Sequence, residues 1–305
     1  MKESVLITGG SGLLGLNWMI ALIGRCDVTL GLHSKWIDVS DVNASVRALE
    51  LESLDSLIRV LEEIGPTAVI HTVGLTNVEL CELNQDLAHK VNVDLAVNVA
   101  LACARLKVPL IHISTDHLFS GEMPFLDENC KPEPKNVYAS TKAKAERCIL
   151  EVYPESLIIR TNFYGWGPSY RQSFSDFIIK SLRKGQEVTL FEDVFYTPIM
   201  AETLVQAAHR LLEFGASGIF NIVGDERISK FQFGQQIAIE FGLDKSLIKT
   251  GSLVDNASLI KRPLDMSLSN KKARQYLGCK LGSVSSQLSR LRELEASYIS
   301  AQCFM

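Results

Sequence analysis

The 305-residue chain carries no C-x-x-C pair, no run of basic residues and no early apolar stretch long enough to span a bilayer. Each absence removes a class of function. The seven cysteines (Cys26, Cys81, Cys103, Cys130, Cys148, Cys279 and Cys303) are odd in number and scattered. That pattern points to reduced thiols used mostly as small apolar side chains, not to a disulfide framework. His112 and His117 flank Asp116 at a spacing that suits no common metal site, so no metal is expected. Lys plus Arg number 31 against 35 Asp plus Glu, for a net charge of −4, and no nucleic-acid partner is expected. The stretch "GLLGLNWMIALIG" is 13 residues, and no basic region with a cleavage site precedes it. A soluble, cytoplasmic protein with no membrane partner is the expectation.

What is present is apolar material in a regular rhythm. Hydrophobic residues make up 47% of the chain, ample for a sizeable core. Short apolar runs at 4–8, 28–32, 46–51, 67–73, 108–115 and 156–161 alternate with helix-periodic segments, among them 12–24 and 84–106. This alternation predicts an α/β fold, a doubly wound parallel sheet of Rossmann type. Past residue 162 the rhythm changes to loops rich in Gly, Pro, Ser and aromatics, with helices near 172–184, 200–214 and 229–241. The division expected is a nucleotide-binding domain over 1–162 and a smaller mixed α/β substrate lobe over 163–305, some of whose strands and helices return to the first domain.

Three clusters carry chemistry. "TGGSGLLG" opens where the first strand ends, with Gly9, Gly12 and Gly15 spaced for a tight turn, a close backbone approach to pyrophosphate, and a helix N-terminus facing the phosphates. At the end of the second strand, where an acidic residue would bind the ribose 2′-hydroxyl of NAD, stand His33, Ser34 and Lys35. They suit a 2′-phosphate, so NADPH is favoured over NADH, with Asp38 the carboxylate that would reverse the preference. "HISTDHLF" places Thr115 at a strand C-terminus, 23 residues before Tyr138. In "NVYASTKAKAE", Tyr138 and Lys142 fall on one helical face. A free phenol titrates near 10, and Lys142 is expected to lower that value by favouring phenolate. In the other half, Arg262 sits beside Pro263, and its planar fork suits a substrate diphosphate.

In order and spacing these segments, with "TNVELCE", "RTNFYG", "YTPI" and "KRPLDMSLSN", resemble the extended short-chain dehydrogenase/reductase family, and within it the dTDP-4-dehydrorhamnose reductase branch. The resemblance covers nearly the whole chain. It implies a catalytic set of Thr115, Tyr138 and Lys142, an NADP cofactor and a nucleotide-sugar substrate. It places Gly9, Ser11, Gly12, Leu13, Leu14, Gly15, His33, Ser34, Lys35, Val73, Gly74, Tyr138 and Lys142 at the cofactor. Thr76, Val78, Thr115, His117, Tyr138, Asn162, Phe163 and Arg262 fall at the substrate. The implied activity is reduction of the 4-keto group of a nucleotide-linked deoxysugar, in deoxysugar or cell-surface polysaccharide biosynthesis; a homodimer is left open. The chain departs from the branch at His117, where a tyrosine is usual, and at "RTNFYG", which is shorter and has Phe163 as its nearest aromatic in place of tryptophan. The alternatives are a nucleotide-sugar epimerase or dehydratase, and a regulatory subunit that binds NADP without turnover. Related epimerases and dehydratases commonly place Glu near the active Thr, where this chain has Asp116.

Overall fold

The computed structural model describes residues 3–39, 42–256, 260–296 and 298. Cys303 lies outside them, and the other six cysteines are free. Strands β1 (Ser4–Thr8), β2 (Asp27–Leu32), β3 (Ala44–Ala48), β4 (Ala68–His71), β5 (Leu110–Ile113) and β6 (Leu157–Arg160) are separated by helices in the first half. These are α1 (Leu13–Leu22), α2 (Leu54–Ile64), α3 (Val78–Leu83), α4 (Gln85–His89), α5 (Leu95–Leu106) and α6 (Val137–Val152). The second half holds β7 (Phe163–Tyr164), β8 (Val188–Phe191), β9 (Phe195–Tyr196), β10 (Ile199–Met200), β11 (Gly218–Asn221), β12 (Ile228–Ser229) and β13 (Ile248–Gly251). Its helices are α7 (Phe174–Arg183), α8 (Ala201–Glu213), α9 (Lys230–Glu240), α10 (Lys271–Leu277) and α11 (Val284–Glu293).

Seven strands form one parallel sheet in the order β11-β6-β5-β4-β1-β2-β3. The doubly wound fold expected from the alternation is what forms. Its inner strands read "VLIT", "AVIH" and "LIIR" because both faces are covered. One face packs on α1 and α8 through Trp18, Leu16, Leu204 and Leu211; the other packs on α2, α5 and α6 through Leu57, Val99 and Ile149. The strand order reverses between β1 and β4, and the crevice there opens at the strand C-termini, where ligands bind in such sheets.

Local signals start the helices. Ser53 caps α2 by accepting from Ser56 N–H, and Asn136 caps α6 by accepting from Ala139 N–H; such caps are worth about 1 kcal/mol each. Two expectations shift. The third strand runs over 44–48, and Leu49 and Leu51 beyond it turn into the core against α2. The helical stretch 84–106 is interrupted by a π turn, Lys90–Asp94. Among the described residues, 85–106 is the one helical stretch long and apolar enough to cross a membrane. Here Val93, Ala96, Val99, Ala100 and Cys103 are core.

Residues after 162 build a separate core around Phe233, Tyr164, Tyr196, Ile178 and Leu288. From this half β11 pairs with β6 at the edge of the main sheet, and α8 and α10 pack into that sheet's core through Leu204, Leu211, Ala273 and Leu277.

Candidate active site

The chain leaves β1 through Gly9 at φ +71°, a left-handed turn that glycine adopts without strain. Helix α1 begins four residues later, with Gly12 as its cap and no side-chain cap, leaving its first N–H groups to a ligand. A Cβ on Gly15 would stand 2.6 Å from the Gly9 carbonyl oxygen, so the helix rests on the loop backbone. This tight turn and uncapped helix end suit a pyrophosphate. A cavity of about 1180 Å³ starts here and runs along the strand ends to Tyr138 and Asn162.

At the far end of the cavity, Thr115 follows β5, and Tyr138 and Lys142 project from α6, all three buried. Thr115 Oγ1 accepts from the His117 backbone N–H at 3.2 Å. Asn162 Nδ2 donates to Asp116 Oδ2 at 2.7 Å, tying the loop after β6 to the loop after β5. The His117 ring meets the Tyr138 ring edge-on at 5.7 Å. Beneath them Glu146, one turn beyond Lys142, receives Ser114 Oγ at 2.5 Å and Arg160 Nη2 at 2.7 Å. This buried ion pair braces the strand end that presents Thr115; breaking such a pair typically costs about 3–5 kcal/mol.

Burial dominates the electrostatics. It pushes the Tyr138 phenol up to about 12, against a hydrogen bond with Thr115 that favours phenolate. The lowering expected from Lys142 is not found. The Lys142 Nζ points instead to β5, donating to Ile113 O at 2.7 Å and lying 3.1 Å from His112 Nε2. Burial pulls Lys142 down to about 8, while Glu146 favours its ammonium. Burial also raises Asp116 and lowers His117.

Of the residues assigned to cofactor, substrate or catalysis from the sequence, all but Gly15 and Arg262 line the cavity: Gly9, Ser11, Gly12, Leu13, Leu14, His33, Ser34, Lys35, Val73, Gly74, Thr76, Val78, Thr115, His117, Tyr138, Lys142, Asn162 and Phe163. Gly15 lies behind the loop, where close packing is its role. Arg262 also stands off the cavity wall, ion-paired with Glu79 of α3. Its charge nonetheless reaches His117. Asp38 is not among the lining residues.

Several residues of the site gave no signal in the sequence. Asn92, at the π turn, bonds Leu75 N–H, Leu75 O and Thr141 Oγ1, joining the 74–76 wall to the helix of Lys142. The same helical run also carries Asn98, and nothing along the chain sets Asn92 apart from it. Arg171 Nη2 reaches Thr76 Oγ1 at 2.9 Å, and Tyr170 Oη donates to Ser11 O at 2.8 Å, so residues 170–171 bridge the cavity mouth. Lys230 lies 3.3 Å from the centre of the Tyr196 ring and within the field of Asp116.

Comparison with known proteins agrees with this architecture. The model of the RmlD substrate binding domain family matches residues 1–295. The probable low-salt glycan biosynthesis reductase Agl14 of Haloferax volcanii is 27% identical over 96% of this chain and 99% of its own length. The dTDP-4-dehydrorhamnose reductase of Aggregatibacter actinomycetemcomitans is 26% identical, covering 90% of this chain and 93% of that one. In fold, the chain superposes on dTDP-4-dehydrorhamnose reductase from Bacillus anthracis, in complex with NADP, with a TM-score of 0.84 and 24% identity, covering 96% of this chain and 99% of that one. With a family model matched across 295 of its 305 residues, the chain belongs to the RmlD substrate binding domain family of extended short-chain dehydrogenases/reductases.

Proposed function

We propose that this protein is an NADPH-dependent reductase of the 4-keto group of a nucleotide-linked deoxysugar, acting in the cytoplasm in deoxysugar or cell-surface polysaccharide biosynthesis. The observation that carries the reading is the convergence of Thr115, Tyr138 and Lys142 on the same cavity that begins at the glycine loop. The names of the relatives, reductases of dTDP-4-dehydrorhamnose and of glycan biosynthesis, support it.

The nicotinamide, when bound, supplies the hydride. Tyr138 is the proton donor to the carbonyl oxygen. With its phenol near 12 it is fully protonated at neutral pH, the form that reduction needs. Thr115 holds the same oxygen with its hydroxyl and fixes the angle of approach. As the proton leaves, phenolate forms in a buried pocket that disfavours it, and the Lys142 ammonium one helical turn away is the compensating charge. At the other end, Ser11, Leu13 and Leu14 at the start of α1 face the pyrophosphate, and His33, Ser34 and Lys35 face the 2′-phosphate. Two carboxylates, Glu50 and Glu52, line that stretch of wall, and Glu52 is paired with Lys90 at 2.8 Å. The lobe after residue 162, with Phe163 and Arg262, holds the sugar nucleotide together with Asn162 at its border.

The test is NADPH consumption, followed by its near-ultraviolet absorbance, with 4-keto-6-deoxy sugars linked to dTDP, UDP, GDP and CDP, and NADH in parallel. Turnover with one of these, faster with NADPH, is expected. NADPH binding with no turnover of any of them would leave the regulatory-subunit alternative standing instead.

A further inference from the structure

We propose that His112 is a positioning residue that aims the Lys142 ammonium into the cleft. This rests on reading Tyr138 and Lys142 as the working pair. An ammonium has three donors. Two of those on Lys142 meet β5, one at Ile113 O (2.7 Å) and one at His112 Nε2 (3.1 Å). The third is left for the cavity that Lys142 lines. For Nε2 to accept, the imidazole must be neutral and carry its proton on Nδ1. Burial and the adjacent Lys142 charge keep it neutral.

The ring cannot turn away. His71, its register partner on β4, stacks on it at 5.3 Å and is itself held through Nδ1 by Thr8 Oγ1 at 2.7 Å. A buried strand position would ordinarily take Val or Ile at no polar cost. His112 Nδ1 has no hydrogen-bond partner among the described residues. Lys142 is therefore what its side chain engages in exchange for losing water. A neutral imidazole far from its own titration acts here as a fixed acceptor, not as a proton carrier. The titratable groups facing Lys142 are Glu146 on its own helix, His112 on β5 and His71 on β4.

The test compares His112→Leu, which removes the acceptor at similar volume, with His112→Gln, which keeps one. For Leu, kcat should fall about tenfold or more with KM held within about twofold. The alkaline limb of the kcat–pH profile should also move to lower pH, because the ammonium has lost an acceptor. Gln should restore most of the rate. Equal losses in both variants, or a lower Tm with the alkaline limb unmoved, would overturn the proposal. If the Leu variant does not fold, 15N spectra of the parent protein decide. The Nδ1–H tautomer, with an Nε2 resonance that shifts in Lys142→Met, supports the proposal, and an Nε2–H tautomer overturns it. Full turnover in Tyr138→Phe would be a failure of the catalytic pair itself, which keeps the two failures apart.

Discussion

The sheet side of the cleft and its lobe side are held by different kinds of contact. On the sheet side, Thr115, Tyr138, Lys142, His112 and the Ser114–Glu146–Arg160 network are buried and bonded to strands or to one another. On the lobe side the bridges are between more exposed side chains. Tyr170, 38% exposed, bonds Ser11 and lies under Lys35, whose Nζ is 3.9 Å from the ring centre. Arg171 reaches Thr76, and Arg262 pairs with Glu79. Buried networks lose much when one partner is removed, whereas exposed pairs are worth about 0–1 kcal/mol and exchange readily. The sheet side is thus preformed for chemistry. The lobe side must trade internal contacts for ligand, so its residues set affinity more than rate.

The sharpest way to break this contrast is Tyr138→Phe. Cofactor binding should persist while kcat falls by about 10²–10⁴-fold, the usual contribution of general acid–base catalysis. A Phe variant with near-parental kcat would remove Tyr138 from the chemistry.

Next comes Gly15→Ala. In an ordinary helix interior this change stabilises by roughly 1 kcal/mol. Here the new methyl meets the backbone of Gly9 and Gly10. Overpacking of this kind costs about 1–3 kcal/mol. Thermal unfolding should drop and NADPH binding weaken together; a variant as stable as the parent would mean the loop gives way freely.

On the more exposed side the effects shrink. Lys35→Ala should weaken NADPH by about 1.5 kcal/mol, the low end for hydrogen bonds to a charged group, and leave NADH nearly unchanged. Cofactor titration checks this, and equal losses would mean that Lys35 does not read the 2′-phosphate. The smallest effect belongs to Arg262→Ala. Because Arg262 must first leave Glu79, KM for the sugar nucleotide should rise only about fivefold, near 1 kcal/mol, with the Kd for NADPH unchanged. Glu79→Gln should lower KM by freeing the guanidinium, and an unchanged KM in both would place the diphosphate elsewhere.

Much of the sheet side was legible along the chain, since its signals are local. A glycine triplet after an apolar run specifies a turn into a helix, and Tyr138 and Lys142 share a face because helical period puts i and i+4 together. The same periodicity determined the parallel, doubly wound sheet. Only the tertiary structure decided which distant groups meet. Parallel register sets His71 beside His112 and Thr8 beside His71. Docking of α6 on β5 ties Lys142 to a histidine 30 residues away in sequence. Packing also sends β11 to the sheet edge and gives Arg262 to Glu79. The same burial that brings these groups together drives Tyr138 up to about 12, because desolvation depends on everything packed around a side chain and not on its neighbours in sequence.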